Sequence, residues 1–161
     1  MILAIDPGNV ESAYVLIDET HGCRPRTFGK VPNETLLDDL AWLARGATVA
    51  IEMIASYGMA VGASVFETCV WIGRFDRECC ITGQPAHLVF RRDVKLHLCQ
   101  SARAKDSNIT QALIDRFAKD TPNKGKGTKG EPGFFYGFRA DVWAAFAVGV
   151  FAADNNIGGS L

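Results

Sequence analysis

The chain opens on an apolar run, Ile2-Leu3-Ala4-Ile5, that ends on Asp6 and breaks at Pro7-Gly8. An apolar stretch of this length closed by turn residues predicts a buried strand followed by a tight turn. Residues 12–18 predict a second strand, and residues 26–31 a third, polar enough to be an edge. Short connections among the three favour an antiparallel meander. Asn33-Glu34-Thr35-Leu36 predicts a helix start with Asn33 as N-cap, and Leu36, Leu37, Leu40 and Leu43 share one face before Gly46 ends it. Residues 48–52 predict a fourth strand, and residues 59–79 an apolar helix. Ala86–Phe90 predicts a fifth strand, and residues 93–99 a short helical turn. Residues 105–118 are amphipathic, with Ile109, Ala112, Leu113 and Phe117 on the apolar face. An 18-residue connection, 120–137, carries five glycines and three lysines. Loops of this length in a compact domain are usually functional or disordered. An apolar helix over residues 140–154 closes the chain.

The order β-β-β-α-β-α-β-α-α predicts an α/β domain spanning residues 1–161. Its five-stranded mixed sheet combines an antiparallel meander with parallel strands and has helices on both faces. Right-handed crossovers place the fourth strand beside the first.

Composition narrows the class. At 48% hydrophobic and 22% charged, the 161-residue chain reads as a globular protein with its own core. Its longest runs without Asp, Glu, Lys, Arg or His are 14 residues (53–66) and 12 residues (142–153), short of the ~20 a membrane span needs. No membrane role is expected. The N-terminus has no basic region before its apolar run, so no secretion signal is expected. Five cysteines, odd in number and without CxxC spacing, suggest a reducing, cytoplasmic setting. Cys79, Cys80, His87 and His97 match no common zinc spacing.

The net charge of −1 hides an asymmetry. Residues 1–90 carry six Lys/Arg against eleven Asp/Glu, and residues 91–161 carry eleven against seven. A basic half on a near-neutral chain points to a polyanionic partner.

The acids carry the chemistry. Asp6 and Glu52 each interrupt an apolar run at a predicted strand end. If those strands are parallel neighbours, both carboxylates enter one crevice, where they repel unless a cation lies between them. The bland alternative is that Asp6 caps its own turn and Glu52 pairs with an arginine. Asp141, in the first turn of the closing helix, is the third candidate, with an ordinary N-terminal helix acid as the alternative. Three oxygen ligands with no His or Cys suit Mg²⁺ or Mn²⁺, and such a site activates water against a phosphodiester.

Asp6-Pro7-Gly8-Asn9-Val10-Glu11-Ser12-Ala13-Tyr14 resembles, without a gap, the opening strand-turn-strand of RuvC-type Holliday junction resolvases of the RNase H-like superfamily. Val49-Ala50-Ile51-Glu52 resembles their second acidic strand. Val94-Lys95, ten residues before Ala104-Lys105, resembles their Val-Lys…Lys segment. Asp141-Val142-Trp143-Ala144-Ala145-Phe146-Ala147-Val148 resembles their closing helix. The four motifs cover nearly the whole chain in order, and the lysine–glycine loop resembles the phage or phage-derived branch.

The resemblance implies a metal-dependent, structure-selective endodeoxyribonuclease that resolves Holliday junctions or other branched DNA as a homodimer. Asp6, Glu52 and Asp141 would bind Mg²⁺ or Mn²⁺, and Lys95 or Lys105 would contact the reacting phosphate. The family's last helix carries two ligands three residues apart. Alignment on Ala145-Phe146-Ala147 puts Asp141 first and Ala144 second; the other register puts Phe138 first and Asp141 second. The former keeps the small-apolar run in step. Either way, three acids stand where the family has four. The rival readings are a nuclease of the same fold acting on RNA–DNA hybrids or simple branches, and a non-catalytic junction-binding protein.

Arg91, Arg92, Lys95, Arg103, Lys105, Lys124, Lys126, Lys129 and Arg139 form the candidate DNA track. Phe134, Phe135 and Tyr136 either stack on bases or anchor the loop. Tyr57 stands near the position of the family's junction wedge. Residues 59–73, with Glu67 as their one charge, suggest a helix buried on two sides and facing a twin subunit.

Overall fold

The computed structural model describes residues 1–56, 58 and 60–158. One five-stranded sheet organises it, in the order β3-β2-β1-β4-β5. The strands are β1 (Ile2–Asp6), β2 (Glu11–Asp18), β3 (Arg24–Pro32), β4 (Thr48–Met53) and β5 (Ala86–Phe90). β1–β2–β3 is the antiparallel meander, and β4 runs parallel to both β1 and β5. The predicted neighbour relation of strands one and four therefore holds.

Strand periodicity sorts the core into two layers. Leu3, Ile5, Val49 and Ile51 face one side, beneath α1 (Asn33–Leu43) and α2 (Ala63–Ile81). Ile2, Ala4 and Ala50 face the other, beneath α5 (Val142–Asp154). Burial on both faces explains why β1 reads as an unbroken apolar run. α5 lies close on the sheet at Gly149, where a Cβ would stand 3.2 Å from that of Ala4 and 3.1 Å from Ile17 Cδ1. α3 (Arg91–Cys99) and α4 (Asp106–Phe117) complete the α5 side. No helix among the described residues is long and apolar enough to cross a membrane.

Three local expectations change. Asn33 is not the N-cap of α1; Pro32 holds that position. The buried Asn33 side chain instead accepts from Ser12 Oγ at 2.6 Å and donates to Gly8 O at 2.9 Å, tying α1 to the β1–β2 turn. Gly8 fits there because a Cβ would stand 2.3 Å from Glu11 O. α2 starts at Ala63 rather than near residue 59, and α3 starts at Arg91 rather than at 93. Starting α3 directly from β5 turns Arg91 back toward the sheet end, with consequences below.

The lysine–glycine connection is folded down by its aromatic end. Phe135 and Phe138 are fully buried. Phe134 stacks on Phe117, with centroids 5.2 Å apart and planes at 14°. Of the two readings for these rings, anchoring is the one observed: Phe135 is enclosed and Phe134 lays one face on Phe117. Tyr136 alone of the three stays exposed.

Candidate metal and nucleic-acid site

Asp6 lies one residue past the Ile5–Ile51 pairing and so level with Glu52. Both occupy even positions with Ala4 and Ala50, so both face the α5 layer. Asp141 sits at the N-cap position of α5. A cleft of about 290 Å³ is lined by Asp6, Glu52, Asp141, Arg91, Asp106 and Ala144, among others. The three acids singled out in the sequence thus share one cleft.

They do not form a ready-made ligand set: among the described residues, no three His, Cys, Asp or Glu side chains converge as metal ligands. Two of the acids are instead turned onto cations. Arg91 Nη1 donates to Glu52 Oε1 at 3.2 Å and Oε2 at 3.0 Å, and Arg91 Nη2 donates to Asp106 Oδ1. Lys30 Nζ lies 2.7 Å from Asp141 Oδ2. The bland alternative for Glu52, an arginine partner, is therefore realised within the cleft itself. The one for Asp6 is not: Gly8 N donates to Ser12 Oγ instead, at 3.2 Å.

Asp6 is left as the uncompensated charge. Burial, then Glu52, raises its pKa to about 8, with Asp141 and Asp106 adding to the rise and Arg91 opposing it. Burial also raises Glu52, against the pull of Arg91 and Lys95. Arg91 is raised: the neighbouring carboxylates outweigh its desolvation. A partly buried carboxylate that has no hydrogen bond among the described residues and is ringed by other carboxylates is what a cation relieves. The all-oxygen donor set suits a hard divalent ion, so the residues present fit Mg²⁺ or Mn²⁺.

The two registers for the closing helix now differ physically. Ala144 lines the acid cleft beside Asp141. Phe138, the alternative, is buried against Phe28 and Phe135, at centroid distances of 4.8 and 5.2 Å. A ligand at that position would point into the aromatic core.

The cations divide into groups. Arg91, Arg92, Lys95 and Arg103 line a cleft of about 540 Å³ that shares Arg91 with the acids. Lys126, Lys129 and Arg139, with exposed Tyr136, line a groove of about 530 Å³. Lys105 is exposed just ahead of α4 and lines neither. Lys124 is exposed and outside the groove. Tyr57 lies outside the described residues, as does the first residue of the apolar segment 59–73. On α2, Phe66 and Val70 are exposed.

The sequence reading missed Asp106 and Lys30. Asp106 stands next to Lys105, at the start of an amphipathic helix, where an acid looks like an ordinary dipole partner. Lys30 sits on an edge strand with nothing in the sequence to link it to Asp141.

Comparison with known proteins puts this geometry in context. No protein-family model matches the chain, and no curated protein matches it. Solved structures do. Thermus thermophilus RuvC superposes with a TM-score of 0.64 at 15% identity, covering 96% of each chain. T. thermophilus RuvC in complex with a Holliday junction substrate superposes with a TM-score of 0.69 at 13% identity, covering 96% of this chain and 93% of that one. The chain therefore has the RuvC-type, RNase H-like fold.

Proposed function

We propose that this chain is a divalent-metal-dependent endonuclease acting on branched DNA, with the four-way junction as its substrate. The observation that carries the reading is the meeting of Asp6, Glu52 and Asp141 in a cleft that shares a wall with a cationic one. A solved structure of similar fold is RuvC with a Holliday junction substrate.

Asp6, Glu52 and Asp141 would hold Mg²⁺ or Mn²⁺, which supplies an activated water and stabilises charge on the phosphate. The chain's own part is positioning. Strand register fixes Asp6 and Glu52, and the start of α5 brings in Asp141. Lys30 yields Asp141 readily, because both partners of that pair are substantially exposed, at 39% and 47%. Lys95 and Arg103 in the adjoining cleft draw the scissile strand's phosphates toward the acids. Lys126, Lys129 and Arg139 extend the track, Arg92 lies with Lys95 and Arg103 in the adjoining cleft, and Lys105 and Lys124 stand outside both.

Symmetric resolution needs two centres, so the proposal includes a homodimer. Phe66 and Val70 of α2 supply apolar area for a self-complementary interface. The non-catalytic reading draws on Ala144 and on the paired state of Glu52 and Asp141.

Cleavage of a mobile four-way junction in Mg²⁺, Mn²⁺ or EDTA, beside linear duplex and RNA–DNA hybrid, tests the reading. Metal-dependent cutting of the junction alone is expected. Binding without cutting in either metal overturns the nuclease in favour of the junction-binding protein. Preference for the hybrid overturns the substrate.

A further inference from the structure

The cleft's two ion pairs are unlike. Lys30 and Asp141 meet at the surface, where a single-point ion pair is weakly held. Arg91 and Glu52 meet further in: the Glu52 side chain is 13% exposed, and one nitrogen of the guanidinium reaches both of its oxygens. The other nitrogen is anchored on Asp106. Removing one member of a buried pair leaves its partner's charge stranded, so such pairs are not given up easily. Arg91 is thus a fixed positive charge between two carboxylates.

A further observation points the same way. The α5 position one turn beyond Asp141, facing the cleft, is Ala144, which has no donor to offer an ion.

We infer that Arg91, anchored by Asp106, takes the place of a second metal ion, so that the cleft holds a single divalent cation. This rests on the metal-dependent reading above. Arg91 is then the group that meets phosphate charge on the Glu52 side, presented by a side chain that no chelator can remove. Asp106 is a positioning residue that holds the guanidinium and is not itself a metal ligand.

Counting bound Mn²⁺ tests this without reference to activity. Free Mn²⁺ is followed by its paramagnetic resonance signal, at equilibrium with the full-length chain. The wild type is expected to bind one ion per chain and Arg91→Gln two. Asp106→Asn is expected to bind one, within threefold of wild-type affinity. Two ions on the wild type overturn the inference, as does a tenfold or greater loss in Asp106→Asn, which would make Asp106 a ligand. If Arg91→Gln loses its far-ultraviolet circular dichroism, the wild type and Asp106→Asn decide alone, since Asp106 is exposed and its loss strands no buried charge. If Arg91→Gln folds and still binds one ion, the inference also fails. No Mn²⁺ on any of the three proteins takes down the metal-dependent reading itself. Two ions on a wild type that cuts junctions takes down only the role given to Arg91.

Discussion

Asp6 and Glu52 are placed by the hydrogen-bond register of β1 and β4, one step past the Ile5–Ile51 pairing. Lys126, Lys129 and Arg139 ride instead on a segment without regular structure, pinned at one end by Phe134, Phe135 and Phe138. The acids need accuracy, because a metal tolerates little displacement of its ligands. A ladder supplies that from the backbone, whatever the nearby side chains do. The cations need only reach a flexible polyanion, and a few buried rings suffice to bring them near. The two regions should therefore fail differently: the cleft by losing chemistry with the fold intact, the segment by losing its anchor and its binding together.

The largest expected effect is on chemistry. Asp6→Asn, Glu52→Gln and Asp141→Asn should each slow junction cleavage by about a thousandfold or more, the worth of several kcal/mol of charge stabilisation. Junction binding in EDTA should change by less than about threefold, because the cations carry most of it. Gel assays of cutting and of binding on the same preparations check both. Full cutting by any one variant removes that residue from the site.

Phe135→Ala should do the reverse. The ring is fully buried and contacts Phe117, Phe134, Phe138, Trp143 and Phe146. Truncation should cost about 3–5 kcal/mol and lower Tm by roughly 10 °C. Binding should weaken as the segment that carries the groove loses its anchor. Calorimetry beside binding assays decides: a Tm within 2–3 °C of wild type would mean that the segment is held by something other than its rings.

Asp6 should leave a pH signature. Its folded pKa of about 8 lies above the unfolded value of 3.8, so the folded state binds the proton more tightly. Stability is therefore lost as pH rises from about 4 to about 8 and levels off above that. Asp6→Asn abolishes this titration. In EDTA, it should match the wild type near pH 4 and become progressively more stable by pH 8, the gap opening by at most about 1.4 kcal/mol per pH unit. Urea midpoints at intervals of one pH unit measure it. A gap that does not grow with pH would mean that the carboxyl is solvated.

How far the sequence anticipates all this follows from the kind of force involved. The antiparallel meander, the pairing of β1 with β4 and the matching strand ends of Asp6 and Glu52 follow from apolar runs, turn residues and crossover handedness, which are local or topological signals. The Arg91–Glu52–Asp106 and Lys30–Asp141 pairs do not follow. They depend on where α3 begins and on which side the β3 edge faces, and a two-residue shift in a helix start re-aims an arginine. Asn33 shows the same limit: its type suits an N-cap, yet its side chain goes to Gly8 and Ser12 across the fold. The residue types at Phe134 and Phe135 suit anchors and stacking platforms alike, and the contacts with Phe117 and Phe146 that decide between the two come from distant segments.

The smallest effect separates cations that belong to the track from those that merely lie near it. Lys126 and Lys129 line the groove beside Arg139, whereas Lys124 is exposed outside it. Each phosphate neutralised contributes a slope of about −0.9 to the dependence of log affinity on log salt. The pair Lys126→Gln and Lys129→Gln together should flatten the slope for junction DNA by about two such steps. Lys124→Gln should leave it unchanged. The cleavage rate at saturating DNA should stay within about twofold of wild type in both, since neither touches the acids. Titrations at four or more salt concentrations resolve differences of this size. Equal flattening by Lys124→Gln would mean that the segment acts through its total charge, and the groove would lose its claim to a defined phosphate path. No flattening by the pair would leave Arg91, Arg92, Lys95 and Arg103 as the whole electrostatic footprint, and the contrast between ladder-held acids and ring-held cations would then describe the fold without describing binding.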